Sequence, residues 1–231
     1  MVGLLNQGAT CYMNSLLQTL YHLRQLRKAV YDMPSAAASD SEGGVAFALQ
    51  KTFYMLQTSD HPVSTKHLTQ SFGWDTYEAY MQQDVQELNR VLMDKLETIM
   101  KGTPVDGTVG ALFEGSTRAY IRCTDVPYES RRDETFHDIQ LDVKGCKTIH
   151  DSFARYIEEE VLDGEDKYDA GPVHGKQKAK KGVRFLRYPP VLTIHLKRFE
   201  YDMASGNMVK VNDRYEFPFQ LDVDPYLAED A

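Results

Sequence analysis

Apolar residues in the first hundred positions recur at helical spacing. Leu16, Leu17, Leu20, Leu23 and Leu26 predict one helix over 11–30. The small residues PSAAASDSEGG (34–44) predict a loop. Val45, Leu49, Phe53 and Leu56 mark a second helix, and Ser64 suits the N-cap of a short third helix through Leu68. Residues 71–81, SFGWDTYEAYM, are aromatic without a period and predict a structured loop. Val85, Leu88, Leu92, Leu96 and Met100 form one stripe, which predicts a helix from Asp84 to Met100. Asp84 and Glu87 have the spacing of a capping box at its start.

Beyond this helix the period changes. KGTPVDGTVG (101–110) predicts a linker or turn, and TRAYIRCT (117–124) and HDIQLDV (137–143) alternate like strands. Residues 148–162 predict an amphipathic helix, and 163–182 a polar, turn-rich stretch. VRFLRY and VLTIHLKRFEY predict two strands separated by Pro189 and Pro190, and MVKVNDRYEF a last strand pair. A helical half (1–105) followed by a mostly β half (106–231) is α+β logic.

Composition narrows the function classes. The chain of 231 residues carries 26 basic and 34 acidic side chains, a net charge of −8, which argues against a general nucleic-acid binder. Three cysteines are too few for a disulfide framework and point to a reducing compartment. No apolar run reaches the roughly 18 residues that a membrane helix needs. The opening MVGLLNQGATCYMNS lacks a basic segment before an apolar one, so no secretory signal is expected.

Cys11 lies where a loop containing Gly8 and Ala9 enters the first helix. A thiol at a helix N-terminus meets the positive end of the helix dipole, a setting that favours thiolates. Asn6, five residues upstream, could point its amide at a developing oxyanion. From position alone, a buried structural cysteine with a solvent-facing Asn in a turn stands beside the nucleophile reading.

The longer string GLLNQGATCYMNSLLQTLY resembles the Cys box of the ubiquitin-specific protease family, papain-like thiol hydrolases that cleave ubiquitin from proteins. MQQDVQEL (81–88), YPPVLTIHLKRFEYD (188–202) and KVNDRYEFP (210–218) resemble further family blocks in order and spacing. SFGW, KYDAG and LRKAVY resemble most the herpesvirus-associated branch. The resemblance implies a papain-like α+β fold, with a helical thumb (1–105) and β-rich fingers with part of the palm (106–231). It also implies that Cys11 is the nucleophile and that Asn6, with the Cys11 N–H, forms the oxyanion hole.

The family's catalytic histidine lies in a block resembling GGHY, followed by an aspartate, and no such block occurs here. The histidines at 22, 61, 67, 137, 150, 174 and 195 lie in other contexts. The expectation is a C-terminally truncated catalytic domain that is a poor enzyme by itself. Many relatives bind a structural zinc through two C-x-x-C pairs. Only Cys123 of Cys123–Val126 remains, and Tyr168–Pro172 supplies no thiol, so neither metal nor cofactor is expected. Cys123 and Cys146 read as structural.

By the same resemblance Asp84 engages ubiquitin's C-terminal tail, although it also suits an N-cap. Glu87 either completes the capping box or pairs with a tail arginine. Val85 and Gln86 are candidate lining residues. Phe199 reads either as a wall of the channel that admits only the Gly-Gly end, or as a core aromatic. Trp74 is a candidate mobile element or plain core. The lysines at 176, 178, 180 and 181 read as a solvated loop rather than a nucleic-acid patch, and the acidic run 158–169 as a solvated face. The function expected is thiol-dependent deubiquitination in the cytoplasm, the nucleus or both, with ubiquitin and ubiquitinated proteins as partners and no nucleic acid or membrane. The competing readings are a non-catalytic ubiquitin-binding module, against which Cys11 speaks, and a hydrolase of a ubiquitin-like modifier.

Overall fold

The computed structural model describes residues 2–34, 41–73 and 84–230. The architecture is α+β, and contacts cluster into two compact units, one up to Leu112 and one from Phe113 onward.

The first unit is helical: α1 (Cys11–His22), α2 (Arg24–Asp32), α3 (Ser41–Thr58), α4 (Lys66–Ser71), α5 (Val85–Met100) and α6 (Thr108–Phe113). The helix expected over 11–30 is two helices, broken at Leu23, whose backbone is extended at φ −75°, ψ 102°. Helical phase explains the break. Met13, Leu17 and Leu20 share one face, whereas Leu26, Ala29 and Val30 would fall about half a turn round a straight helix at 3.6 residues per turn. The break lets both sets be buried. Arg27 secures it, donating to the Tyr21 carbonyl at 2.8 Å and lying over the Tyr21 ring.

Helix α3 buries Val45, Leu49, Phe53 and Leu56 as expected, but starts at Ser41, inside the expected loop. Thr65 rather than Ser64 occupies the N-cap position of helix α4, without a side-chain cap bond, and the helix continues to Ser71. The Ser64 hydroxyl still accepts from the Lys66 N–H at 3.3 Å. The turn after α5 passes into the short α6, which the glycine-rich sequence conceals. Most of the expected aromatic loop, Trp74 included, lies outside the described residues.

The second unit contains β1 (Gly115–Cys123), β2 (Glu129–Phe136), β3 (Asp138–Asp142), α7 (Ile149–Tyr156), β4 (Glu160–Leu162), β5 (Tyr168–Asp169), β6 (Lys176–Gln177), β7 (Ala179–Arg187), β8 (Thr193–Lys197), β9 (Phe199–Asp202) and β10 (Asn207–Lys210). An antiparallel sheet has the order β2-β1-β7-β4. Strands β3 and β8 pair in parallel, while β5–β6 and β9–β10 are antiparallel pairs.

Strand β2, ESRRDETF, has no alternation and is mostly exposed, so its sequence hides it. Its register follows charge. Arg118 and Asp133 are cross-strand partners joined by two bonds of 2.7 and 3.1 Å, and Arg122 opposes Glu129 at 3.4 Å. Asp133 is held below its ordinary pKa by the Arg118 bond. Most of the lysine run is strand rather than loop, with Lys176 in β6, Lys180 and Lys181 in β7 and Lys178 between the two: Lys178 meets Asp163 at 2.9 Å, Lys180 meets Glu159 at 3.0 Å and Lys181 meets Glu160 at 3.3 Å. Part of the acidic run is therefore paired with it. Opposite charges facing across a sheet favour one register.

The helix expected over 148–162 ends at Tyr156, and 160–162 form β4 instead. Its start carries a capping box, with Thr148 accepting from the Asp151 N–H and the Asp151 carboxylate accepting from the Thr148 N–H. The expected strand VLTIHLKRFEY divides at Arg198. Arg198 donates to the carbonyls of Val211 and Asp213, which aligns β9 with β10 rather than with β3. In MVKVNDRYEF only the part to Lys210 is strand, and Tyr215 turns inward to donate to Ser152 Oγ at 2.8 Å.

Ile139, Leu141, Val143, Ile149, Phe153, Phe185 and Tyr226 are among the side chains of the main core of this unit. Phe185 is fully buried, with ring centroids of Phe136, Phe153, Tyr156 and Tyr188 within 4.8–5.9 Å. Cys146 lies in this core, after the turn at Gly145, where φ is 75°. Cys123 lies in a small apolar cluster with Ala170 and Ala179.

Candidate active site

Cys11 is the first residue of α1 and is exposed. Its own N–H, like all N–H groups of a helix's first turn, has no acceptor within the helix. The loop before it is tied at both ends. Leu5 donates to the Val63 carbonyl and Val63 donates to the Gly3 carbonyl, each at 2.9 Å. The Asn14 amide donates to the Leu5 carbonyl at 3.1 Å. Gly8 has φ 128°, a conformation that side chains with a Cβ rarely adopt, and it turns the chain toward the helix.

Thr10 is fully buried between the loop and the helix. Its N–H and hydroxyl both meet Asn6 Oδ1, at 3.2 and 3.0 Å. Its hydroxyl also accepts from the Gln7 N–H at 3.0 Å. Gln7 Nε2 reaches Thr65 Oγ1 at 2.6 Å, joining the loop to the start of α4. Asn6 itself is exposed, and its Nδ2 has no hydrogen bond among the described residues.

Asp84 accepts from the Gln86 N–H through Oδ1 at 2.7 Å, so it is an N-cap. That bond falls on the second helical residue rather than on Glu87, where a capping box would place it. Asp84 Oδ2 has no partner among the described residues. Val85 belongs to the apolar stripe of α5, but at the first residue of the helix it is 42% exposed. Glu87 is exposed and Gln86 half-buried. Phe199, the first residue of β9, is 62% exposed. Asp84–Glu87 and Cys11 lie in the helical unit, and Phe199 in the strand unit.

The histidines have other surroundings. His22 ends α1, 11 residues from Cys11, or about 16 Å along a helix axis. His67 packs against Phe47, and His150 Nδ1 lies 2.8 Å from the Tyr226 hydroxyl. His174 lies against Tyr128, and His195 is within β8. The residues at the zinc positions do not fit that metal. Cys123 is packed with Ala170, Ala179, Val126 and Tyr128, and no group of three or more ligating side chains occurs among the described residues.

The family model for ubiquitin carboxyl-terminal hydrolases matches residues 2–231. The chain belongs to the ubiquitin carboxyl-terminal hydrolase family. It is 58% identical to ubiquitin C-terminal hydrolase 12 of Arabidopsis thaliana, covering 100% of this chain and 21% of that relative. It is 55% identical to ubiquitin carboxyl-terminal hydrolase 7 of Drosophila melanogaster, covering 99% of this chain and 20% of the relative. It is 52% identical to ubiquitin carboxyl-terminal hydrolase 15 of Saccharomyces cerevisiae, covering 100% of this chain and 18% of the relative. The chain thus spans about a fifth of the length of these curated relatives. Membership in this cysteine-type hydrolase family brings with it the papain-like α+β fold.

The sequence pointed to Cys11 and Asn6 but not to Thr10, Gln7 and Thr65, which bind the Cys11 loop together. One signal was available: a hydroxyl residue directly before the candidate nucleophile, in a segment otherwise made of small residues.

Proposed function

We propose that the chain is the thiol-bearing part of a deubiquitinase of the herpesvirus-associated branch, hydrolysing the bond after ubiquitin's terminal glycine on modified proteins. The observation that carries this reading is the exposed Cys11 at the start of α1, preceded by an Asn6 whose carbonyl oxygen is held by Thr10. The Cys11 thiolate attacks the glycine carbonyl carbon, forming a C–S bond and an oxyanion. Asn6 Nδ2 and the Cys11 N–H donate to that oxyanion. The oxyanion collapses and expels the amine, which leaves with the proton taken from the thiol by a general base. Water then hydrolyses the thioester, giving the glycine carboxylate and the free thiol.

The contexts of the seven histidines supply no base, so the 231-residue chain by itself is expected to be a poor hydrolase. In this reading the helical unit is the thumb, and the strand unit the fingers and part of the palm. Asp84, through its open Oδ2, and Glu87 engage the arginine-bearing tail of ubiquitin; Val85 and Gln86 line it, and the exposed Phe199 walls the Gly-Gly channel. Three free thiols fit the cytoplasm, the nucleus or both. Among the described residues no helix is long and apolar enough to cross a membrane.

The test is reaction with ubiquitin bearing an electrophilic C-terminus, read by intact mass, on this chain, its Cys11→Ala variant and the full-length protein. An adduct on the full-length protein that Cys11→Ala abolishes is expected. No adduct on a well-folded full-length protein would overturn the deubiquitinase reading and favour a ubiquitin-binding module.

A further inference from the structure

We infer that Thr10 is a positioning residue, which locks the Asn6 carboxamide with its oxygen on Thr10 and its NH2 group left to donate elsewhere. The inference rests on the reading of Cys11 as nucleophile and Asn6 as oxyanion donor.

The orientation of an Asn side chain is set by its hydrogen-bond network. The Thr10 N–H can only donate, so the Asn6 atom 3.2 Å away is the oxygen. The Gln7 N–H can also only donate, and it points at Thr10 Oγ1 from 3.0 Å. The Thr10 hydroxyl therefore accepts from Gln7 and directs its own proton to Asn6 Oδ1, 3.0 Å away. Two donors from one residue saturate the two lone pairs of the Asn6 oxygen. The amide nitrogen is left with no partner among the described residues.

Two consequences follow for chemistry. An exposed Asn would otherwise sample both amide orientations, and half of them would present an oxygen to an oxyanion. The lock removes those states before the reaction begins, which is preorganisation. The bonds at Oδ1 also polarise the amide, so its N–H groups become better donors, as linked hydrogen bonds do. Thr10 touches neither the thiol nor the substrate in this account. It acts through Asn6, and its burial shields both bonds from competing water.

The variants Thr10→Val, Thr10→Ser, Asn6→Ala and Asn6→Ala/Thr10→Val test this. The first readout is the 15N heteronuclear NOE of the Asn6 side-chain amide in the 231-residue chain. It should match the rigid backbone in the parent and Thr10→Ser, and fall in Thr10→Val. The second is hydrolysis of a ubiquitin C-terminal fluorogenic amide by the full-length protein. Thr10→Val should lower kcat roughly 10- to 100-fold with KM within about threefold, less than the roughly 10²–10³-fold cost of removing an oxyanion donor outright. Thr10→Ser should restore most of kcat. In the Asn6→Ala background, Thr10→Val should cost no more than about twofold.

An unchanged NOE in a folded Thr10→Val overturns the proposal. So does a loss of kcat that multiplies with that of Asn6→Ala, since Thr10 would then act elsewhere. Loss of fold in Thr10→Val shifts the decision to Thr10→Ser, whose amide must stay rigid and whose kcat must stay near the parent's for the proposal to stand. If the folded parent does not turn over ubiquitin, the deubiquitinase reading fails, and the NOE comparison still decides whether Thr10 holds Asn6.

Discussion

Residues up to Leu112 bury side chains supplied by sequence neighbours three and four positions apart, as Leu88, Leu92 and Leu96 do along α5. Residues from Phe113 onward depend on distant partners. Tyr120 bonds to Glu159, 39 residues away, and Arg118 to Asp230, 112 residues away. The helical unit thus carries its pattern within each element, while the strand unit carries it only between elements. The first kind survives inspection of a short window of sequence; the second does not.

The largest expected effect tests whether long-range packing holds the strand unit. Phe185→Ala should cost about 3–5 kcal/mol in urea denaturation, the range for a buried phenylalanine. A loss below about 1 kcal/mol would show that the ring cluster around it is not the core of the unit.

Next comes a pair of glycines, one in each unit. A Cβ at Gly182 would lie 2.6 Å from the Tyr120 hydroxyl, because that ring lies across the glycine from the neighbouring strand. Gly182→Ala should therefore cost about 1–3 kcal/mol, typical of overpacking. Gly44 is in α3, where among the described residues a Cβ meets only Ser71 Cβ, at 4.0 Å. Gly44→Ala should stabilise by about 0.5–1 kcal/mol through helix propensity. Opposite signs in thermal melts would sharpen the contrast, and equal signs would break it.

A smaller effect concerns Glu159, which accepts from the Tyr120 hydroxyl at 2.7 Å and from Lys180 at 3.0 Å. The Tyr120 bond, and then Lys180, hold its carboxyl below the ordinary pKa. Its contribution is complete above the unfolded carboxyl value of about 4.3, and is lost as pH falls through the lower folded value. Glu159→Gln should lower stability by about 1 kcal/mol at neutral pH. Its stability should converge on that of the parent in acid, as urea midpoints at pH 7 and pH 3 would show. A constant difference between those two pH values would remove the carboxylate from the account. The smallest effect is Lys181→Ala, expected within about 0.5 kcal/mol because exposed ion pairs contribute little. A larger loss in thermal melts would mean that the ion pair to Glu160, rather than the β7 backbone, holds β4 in place.

The same distinction decides which expectations held. The helices at α3 and α5 were legible because burial repeats within them. The break at Leu23 was not, because two apolar sets half a turn apart look alike in a one-dimensional list. Strand β2 has no apolar face, so only Arg118, Arg122 and their partners on the neighbouring strand reveal it. The lysines of β6 and β7 look like a solvated loop until the acidic residues opposite are seen. At the candidate site, Cys11 and Asn6 were legible as residue types at a helix entrance. Thr10 was not, since a threonine by itself does not show where its hydroxyl points.

Residue order alone determined the α+β class, the helical stripes, the placement of the thiol at a helix start and the family. These depend on local period, or on a contiguous string. Only the tertiary structure decided the strand order β2-β1-β7-β4, the division of the last apolar run at Arg198, the exposure of Phe199 and Val85, and the grip of Thr10 on Asn6. Each is a relation between atoms brought together by chain reversal. Burial and hydrogen-bond partners follow from that meeting, which the linear order does not contain.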